Sequence, residues 1–170
     1  MNLAEKIRTI PDFPKDGIKF KDITTLLKDG EAFKEAIDKL VKRYKDEDID
    51  AVVGIEARGF LIGAPLAVEL GKGFIPVRKE GKLPSETLRQ EYELEYGTNV
   101  LEVHKDAVKE GEKVLVIDDL LATGGTVEAT VELLEKIGAE IVEVSFLLEL
   151  EFLEGREKLT DYDVYSLIIE

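Results

Sequence analysis

The sequence predicts a single α/β domain built on a central, mostly parallel sheet with helices on its faces. Strand-like and helix-like segments alternate through the middle of the 170-residue chain, a pattern typical of parallel sheets. Two short unbroken apolar runs, residues 51–55 and 114–117, have the character of strands buried on both faces. Each run is followed by a polar loop and then a helical pattern. Because open α/β sheets bind ligands at the carboxyl ends of their strands, both loops are candidate sites.

Composition narrows the class of protein. A hydrophobic content of 44% favours a folded chain over a disordered one. The formal net charge of −14 argues against a nucleic-acid partner, which usually requires a basic surface. Zero cysteines exclude a disulfide scaffold and a Cys-based zinc site. No apolar run approaches about 18 residues and no signal peptide is recognisable, so we expect a cytoplasmic protein without a membrane partner.

The first element predicted is a short helix over residues 2–9, followed by an irregular segment over residues 10–23. Prolines and a glycine prevent a long element in that segment. It nevertheless carries four apolar side chains: Phe13, Ile18, Phe20 and Ile23. Such a segment is either a loop held to the core by its aromatic rings or the wall or lid of a pocket.

An amphipathic helix over residues 31–45 precedes the first buried strand, residues 51–55. The loop after that strand contains Arg58, and a helix follows through Leu70. Arg58 and nearby backbone N–H groups could receive a phosphate or pyrophosphate. The alternative is a surface arginine paired with Glu56.

The next predicted strand, residues 73–77, leads into a loop with three cations: Arg78, Lys79 and Lys82. This cluster is either a solvated loop or a means of neutralising a diphosphate ester. Residues 85–98 follow, in which Tyr92, Leu94 and Tyr96 alternate as in an edge strand or ribbon. That ribbon is either a polar hairpin or a mobile lid that excludes water from reactants.

The strand at residues 114–117 ends in Asp118 and Asp119, and a glycine-rich loop follows before a helix over residues 127–137. In that loop Gly124 and Gly125 let the backbone approach an anion closely, and threonine hydroxyls can add donors. The acid pair suits ribose hydroxyls or a Mg²⁺ held largely through water. The alternative is a structural turn with a capping threonine and a solvated acid pair. Strands over residues 139–150 and 164–169 complete the prediction.

The string Val-Leu-Val-Ile-Asp-Asp-Leu-Leu-Ala-Thr-Gly-Gly-Thr at residues 114–126 resembles the phosphoribosyl-pyrophosphate (PRPP) signature of the type I phosphoribosyltransferase family. Its second half is most similar to members that act on adenine. Further similar strings occur at residues 54–60, 78–84 and 92–97, and the resemblance extends from about residue 7 to the C-terminus. It implies one domain over residues 1–170, with a hood mainly at 1–30 plus part of 145–160. The core would span about 31–150, and a mobile loop about 79–98.

The resemblance also implies a reaction: transfer of the phosphoribosyl group from PRPP to adenine, giving AMP and pyrophosphate. It implies Mg²⁺ as a cofactor, bound mainly through PRPP and water, and a homodimer. The alternatives are another purine base or a non-catalytic PRPP-binding regulator.

By the same resemblance, Glu95 would be the acid/base near the purine, supported by Tyr96. Adenine would be contacted by Lys19, Phe20 and Lys21, although the family usually has arginine where this chain has Lys21. Phosphate and ribose would be bound by Asp118, Asp119, Ala122, Thr123, Gly124, Gly125 and Thr126. Pyrophosphate would be bound by Arg58, Arg78, Lys79 and Lys82.

Overall fold

The computed structural model describes residues 1–94 and 97–170. The helices there are α1 (Thr24–Lys28), α2 (Gly30–Tyr44), α3 (Arg58–Leu70) and α4 (Gly125–Lys136). The strands are β1 (Arg8–Ile10), β2 (Phe20–Asp22), β3 (Ala51–Ile55), β4 (Gly73–Lys79), β5 (Thr87–Leu94), β6 (Gly97–His104), β7 (Lys113–Leu121), β8 (Glu140–Glu149) and β9 (Val164–Ile169). Short 3₁₀ turns lie at Leu3–Lys6, Glu151–Leu153 and Gly155–Leu159. Within these two ranges, none of the helices is both long and apolar enough to span a bilayer.

The central sheet has seven strands in the order β5-β6-β4-β3-β7-β8-β9. Five neighbouring strands run parallel to one another: β4, β3, β7, β8 and β9. The remaining two are antiparallel, since β6 pairs antiparallel with β4 and β5 pairs antiparallel with β6. The prediction of a mostly parallel sheet flanked by helices is therefore confirmed. Separately, β1 and β2 form an antiparallel ribbon near the N-terminus.

The apolar run in β7 is explained by burial on both faces of the sheet. Leu115 and Ile117 pack into the core formed with α2 and α3. Val114 and Val116 pack into the opposite core, formed with α4. All four side chains are fully buried, so alternation along the strand sends apolar residues to both layers.

Several predicted elements differ from the structure. A short strand, β2, forms within the segment predicted as irregular, and β4 continues two residues past its predicted end at residue 77. The helix predicted over residues 2–9 is limited to Leu3–Lys6, and β1 follows because residues 8–10 pair with β2. The strand predicted to stop at Ile117 continues to Leu121. Its pairing with β8 extends past the acids, with Leu120 opposite Leu148, so Asp118 and Asp119 lie within the strand.

An ion pair between a buried carboxylate and a partly exposed arginine ties the 3₁₀ turn Gly155–Leu159 to the sheet. Arg156 donates from Nε and Nη2 to both carboxylate oxygens of Glu149, each at 2.8 Å. Ser166 Oγ donates a third bond to Glu149 at 2.6 Å. Only 3% of Glu149 is exposed. These bonds hold the pKa of Glu149 below its usual value of 4.5, and the bonds from Arg156 have the largest effect.

This lowered pKa predicts acid-sensitive stability. A carboxylate whose pKa is lower in the folded state stabilises the fold above its unfolded pKa, and this contribution is lost as the pH falls through the folded value. We expect Glu149→Gln to lower the free energy of unfolding by about 2 kcal/mol at pH 7, less than for a fully buried pair because Arg156 is partly exposed. The difference from wild type should shrink as the pH falls below 4.5.

Urea unfolding at pH 7 and at about pH 3 measures both values. Asp38→Asn is the control, because Asp38 pairs with Lys34 on the exposed face of α2, and we expect it to cost less than about 0.5 kcal/mol. An equal difference for Glu149→Gln at both pH values would contradict the argument.

Candidate active site

A cavity of about 550 Å³ opens at the carboxyl ends of β3 and β7. These strands are neighbours, with Gly54 opposite Ile117, so the loops that follow them meet. Residues 55–58 and 118–127 line the cavity, together with Lys79, Tyr92, Asn99 and Leu101 from β4, β5 and β6. The structure thus brings together the two loops that the sequence marked as candidate sites.

The glycine-rich loop, residues 122–126, forms a concave backbone surface that we call the cradle. Gly124 has a φ of +88°, and a Cβ at that position would lie 2.7 Å from the carbonyl oxygen of Gly155. The first N–H groups of α4 have no acceptor within the helix, and no side chain caps its start at Gly124. Because Gly125 and Thr126 line the cavity, this helix start offers N–H donors and a favourable dipole to an anion.

The two aspartates occupy different environments. Asp119 is 5% exposed, and its Oδ2 lies 2.7 Å from Arg58 Nε. Asp118 accepts the Asp119 N–H at 2.8 Å through Oδ1, and a Cβ on Gly59 would lie 2.8 Å from the same oxygen. Burial raises the pKa of Asp118 well above its usual value, and the neighbouring Asp119 carboxylate raises it further. The two acids therefore differ: Asp119 is paired with a cation, whereas the surroundings of Asp118 disfavour its charged form.

Arg58 does not pair with Glu56, the alternative that the sequence left open. Glu56 instead accepts Arg78 Nε at 3.2 Å and the Lys79 backbone N–H at 2.6 Å. The peptide bond between Glu56 and Ala57 is cis. Two of the three cations predicted to follow the strand at residues 73–77, Arg78 and Lys79, instead lie within β4, because pairing with β6 extends it to Lys79. Lys79 lines the cavity. Arg78 lies behind it against Glu56, and Lys82 is exposed on the following loop outside the described cavity wall.

The N-terminal segment approaches the cavity through Phe20, which does not line the described cavity wall but lies beside Arg58, which does. The Phe20 ring centroid lies 5.8 Å from the Arg58 guanidinium carbon and 5.1 Å from the Phe13 ring, in an edge-to-face arrangement. The flanking side chains of Lys19 and Lys21 line a second cavity of about 640 Å³ instead. Lys21 Nζ is held there by Glu170 Oε2 at 2.6 Å and donates to Thr9 Oγ1 at 2.9 Å.

Two predicted residues, Glu95 and Tyr96, lie outside the described residues. On the same ribbon, Tyr92 lines the cavity, and its hydroxyl lies 3.5 Å from Thr126 Oγ1. Sequence reasoning missed Tyr92 as a site residue, although the alternation along the ribbon already placed it on one face. It also missed Leu120, which lines the cavity because β7 continues past the acids.

The cavity offers few ligands for a metal ion. Its carboxylates are Glu56, Asp118 and Asp119, and two of these already bind Arg78 and Arg58. In the described part of the chain, no three or more His, Cys, Asp or Glu side chains are grouped so as to hold a metal. The donor set therefore fits a Mg²⁺ that takes most of its ligands from a bound phosphate ester and water.

Comparison with known proteins agrees with this geometry. The phosphoribosyl transferase domain family matches residues 24–169. An adenine phosphoribosyltransferase of Halothermothrix orenii is 62% identical over 170 residues, which is 100% of both chains. The crystal structure of adenine phosphoribosyltransferase from Thermoanaerobacter pseudethanolicus has a TM-score of 0.95 at 58% identity, covering 99% of this chain and 98% of that one.

The enzyme of Saccharomyces cerevisiae, crystallised with adenine and an imino-altritol bisphosphate, has a TM-score of 0.91 at 41% identity, covering 97% and 96% of the two chains. These matches extend over nearly the whole length of each protein. The chain therefore belongs to the phosphoribosyltransferase family and, within it, to the adenine phosphoribosyltransferases.

Proposed function

We propose that the protein transfers the 5-phosphoribosyl group of PRPP to adenine and releases AMP and pyrophosphate. The observation that carries this proposal is the placement of the cradle and the acid pair in one cavity, with Arg58 between that pair and Phe20. An anion site, acceptors for ribose hydroxyls and an aromatic ring for a base thus lie side by side. The yeast relative, which was crystallised with adenine and a sugar bisphosphate analogue, supports the same combination of ligands.

The 5′-phosphate would bind in the cradle, residues 122–126. Backbone N–H groups there and at the start of α4 donate to its oxygens, and the hydroxyls of Thr123 and Thr126 can add bonds. Asp119 and Asp118 would accept bonds from the ribose hydroxyls. Because Arg58 holds Asp119 at 2.7 Å, that acceptor is already oriented before the sugar binds.

The pyrophosphate group would lie towards Arg58 and Lys79, the two cations on the cavity wall. Arg78 supports this region through Glu56, which also accepts the Lys79 N–H, and Lys82 would approach from its exposed loop. When bound through PRPP and water, Mg²⁺ would supply positive charge that offsets the charge of the leaving pyrophosphate.

Adenine would stack on Phe20, with the backbone beside it reading the edge of the base. The side chain of Lys21 is engaged by Glu170 and Thr9, so we assign Lys19 and Lys21 backbone roles. The β1–β2 ribbon that carries Phe20 would then be part of the hood, with residues 1–30 and part of 145–160.

The reaction is a substitution at the ribose C1. The bond from C1 to the pyrophosphate oxygen breaks and pyrophosphate keeps the electron pair, while purine N9 forms the new bond to C1. The proton on the purine must leave, and we assign its acceptance to Glu95, with Tyr96 supporting closure of a mobile loop over residues 79–98. The position of Tyr92, 3.5 Å from Thr126 Oγ1, supports a lid that covers the cradle.

We further propose a cytoplasmic homodimer in which part of the cation loop serves the partner's site. The exposed position of Lys82, outside the described cavity wall, supports this arrangement. On α3, Leu61 and Val68 are 47% and 76% exposed, which supplies apolar surface for such a contact. Sedimentation velocity tests the assembly.

The test of function is to mix the protein with PRPP, Mg²⁺ and one purine at a time. We expect AMP and pyrophosphate to form with adenine and no product with hypoxanthine or guanine. Turnover with hypoxanthine or guanine and none with adenine would assign another base. Binding of PRPP without turnover of any purine would instead identify a non-catalytic PRPP-binding protein.

A further inference from the structure

The 3₁₀ turn Gly155–Leu159 packs directly against the cradle, backbone against backbone. A Cβ on Gly124 would lie 2.7 Å from Gly155 O, and a Cβ on Gly155 would lie 2.5 Å from Ala122 O. Neither side of this contact has space for a side chain. The separation between the turn and the cradle is therefore fixed by two glycines that face each other.

The turn is anchored on its other sides as well. Arg156 holds it to Glu149 through two bonds of 2.8 Å. Leu159 is 1% exposed and packs into the core beside α4. Just beyond it, the Tyr162 hydroxyl donates to Glu135 on α4. The backbone of this turn is therefore held at a constant distance from the start of α4, and a side chain on the turn extends from a fixed point.

Lys158 is a side chain of this turn that lies close to the start of α4. Its ammonium Nζ lies 3.8 Å from the position a Cβ would take on Gly125, the first residue of α4. Among the described residues, Lys158 forms none of the ion pairs found in the structure. Lys158 is exposed and does not line the described cavity wall, so its ammonium reaches a ligand at the helix start by moving on its flexible stem.

A positive charge near the cradle would offset its acidic surroundings. Residues 118–126 contain two acids and no cation, and the first turn of α4 adds Glu128. In a chain of formal net charge −14, a dianionic phosphate at this point meets N–H dipoles against an unfavourable field. A lysine ammonium, which acts as a point charge on a flexible stem, can offset that field at the phosphate.

We propose that Lys158 is a further binding residue for the 5′-phosphate, with its ammonium paired with the phosphate oxygens at the start of α4. The proposal rests on the proposed function, because it deepens the assignment of the cradle to the phosphate of PRPP and AMP. Arg156 and Glu149 are positioning residues for it, since they hold the turn and touch no substrate.

The test compares Lys158→Met with the wild type. Loss of one charge-assisted contact should raise the KM for PRPP about tenfold, with little change in kcat or in the KM for adenine. Calorimetry should show AMP binding weakened to a similar extent, while adenine, which has no phosphate, binds as before. Lys158→Arg should restore most of the affinity, and Lys45→Met, at the exposed end of α2, should resemble the wild type.

The outcomes separate the two proposals. A wild-type protein that forms no AMP contradicts the proposed function. An active wild type with unchanged KM for PRPP and unchanged AMP affinity in Lys158→Met contradicts only the role of Lys158. Equal weakening of adenine and PRPP, without rescue by arginine, would show that the side chain supports the fold and would also overturn the inference.

Discussion

Replacing Gly124 by alanine is expected to lower kcat/KM for PRPP by about 100-fold, because a displacement of about 1 Å in a binding loop can cost that much. Gly124 has a φ of +88°, which L side chains rarely adopt, and its new Cβ would lie 2.7 Å from Gly155 O. The obstacle is a backbone atom of a turn that Arg156 and Leu159 hold in place. The cradle must therefore move away, and its N–H groups lose their alignment with the phosphate. Steady-state kinetics with varied PRPP measures the change, and circular dichroism checks the fold.

Gly111→Ala separates backbone strain from this collision. Gly111 has a φ of +84°, similar to that of Gly124, but nothing lies within 4 Å of its Cβ position. It should lose comparable conformational stability and keep its affinity for PRPP. If the two variants lost affinity equally, strain alone would explain the effect. If Gly124→Ala bound PRPP normally, the cradle would not be the phosphate site.

Elements buried on both faces could be predicted closely from the sequence. The apolar run at residues 51–55 became β3 with the same limits, and all five of its residues are buried. A central strand needs apolar residues at successive positions, and few other short elements do. The convergence of the two loops followed from the same reasoning, because parallel strands place their carboxyl ends at one edge.

Features set by pairing between distant segments could not be predicted in this way. β7 continues through Asp118 and Asp119 because β8 pairs with it there, although acids in sequence suggest the end of a strand. β1 forms because Ile10 lies opposite Phe20, whereas the local pattern of residues 2–9 favoured a helix. In both cases tertiary contacts override local propensity.

Within the site, residue types were easier to predict than their partners. The sequence offered Glu56 as a neighbour for Arg58, yet the fold places Asp119 2.7 Å from it and gives Glu56 to Arg78. Lys158 lies on a 3₁₀ turn that does not directly follow an apolar strand, so no pattern in the sequence marked it as a site residue. It reaches the cradle only because Gly124 and Gly155 pack face to face, and a single sequence does not record that contact.

The second large effect is expected for Asp119→Asn, which should weaken PRPP binding roughly 100-fold while the sheet stays folded. Asp119 is 5% exposed and already paired with Arg58. The amide keeps the shape but removes the negative charge, so the ribose hydroxyls lose a charged acceptor. Calorimetry or fluorescence titration with PRPP measures the change. Unchanged affinity would remove Asp119 from the ribose site.

A double-mutant cycle with Arg58→Met decides how Asp119 acts. If Asp119 serves only to orient Arg58, the double variant should bind PRPP no more weakly than Arg58→Met alone. If Asp119 accepts the ribose hydroxyls itself, its loss should still weaken binding in the Arg58→Met background. We expect the second result, because Asp119 lines the cavity and one carboxylate oxygen can accept Arg58 while the other faces the sugar.

Asp118→Asn completes the comparison. Since burial raises the pKa of Asp118, a neutral amide at this position should leave the folded state at least as stable as the wild type at neutral pH.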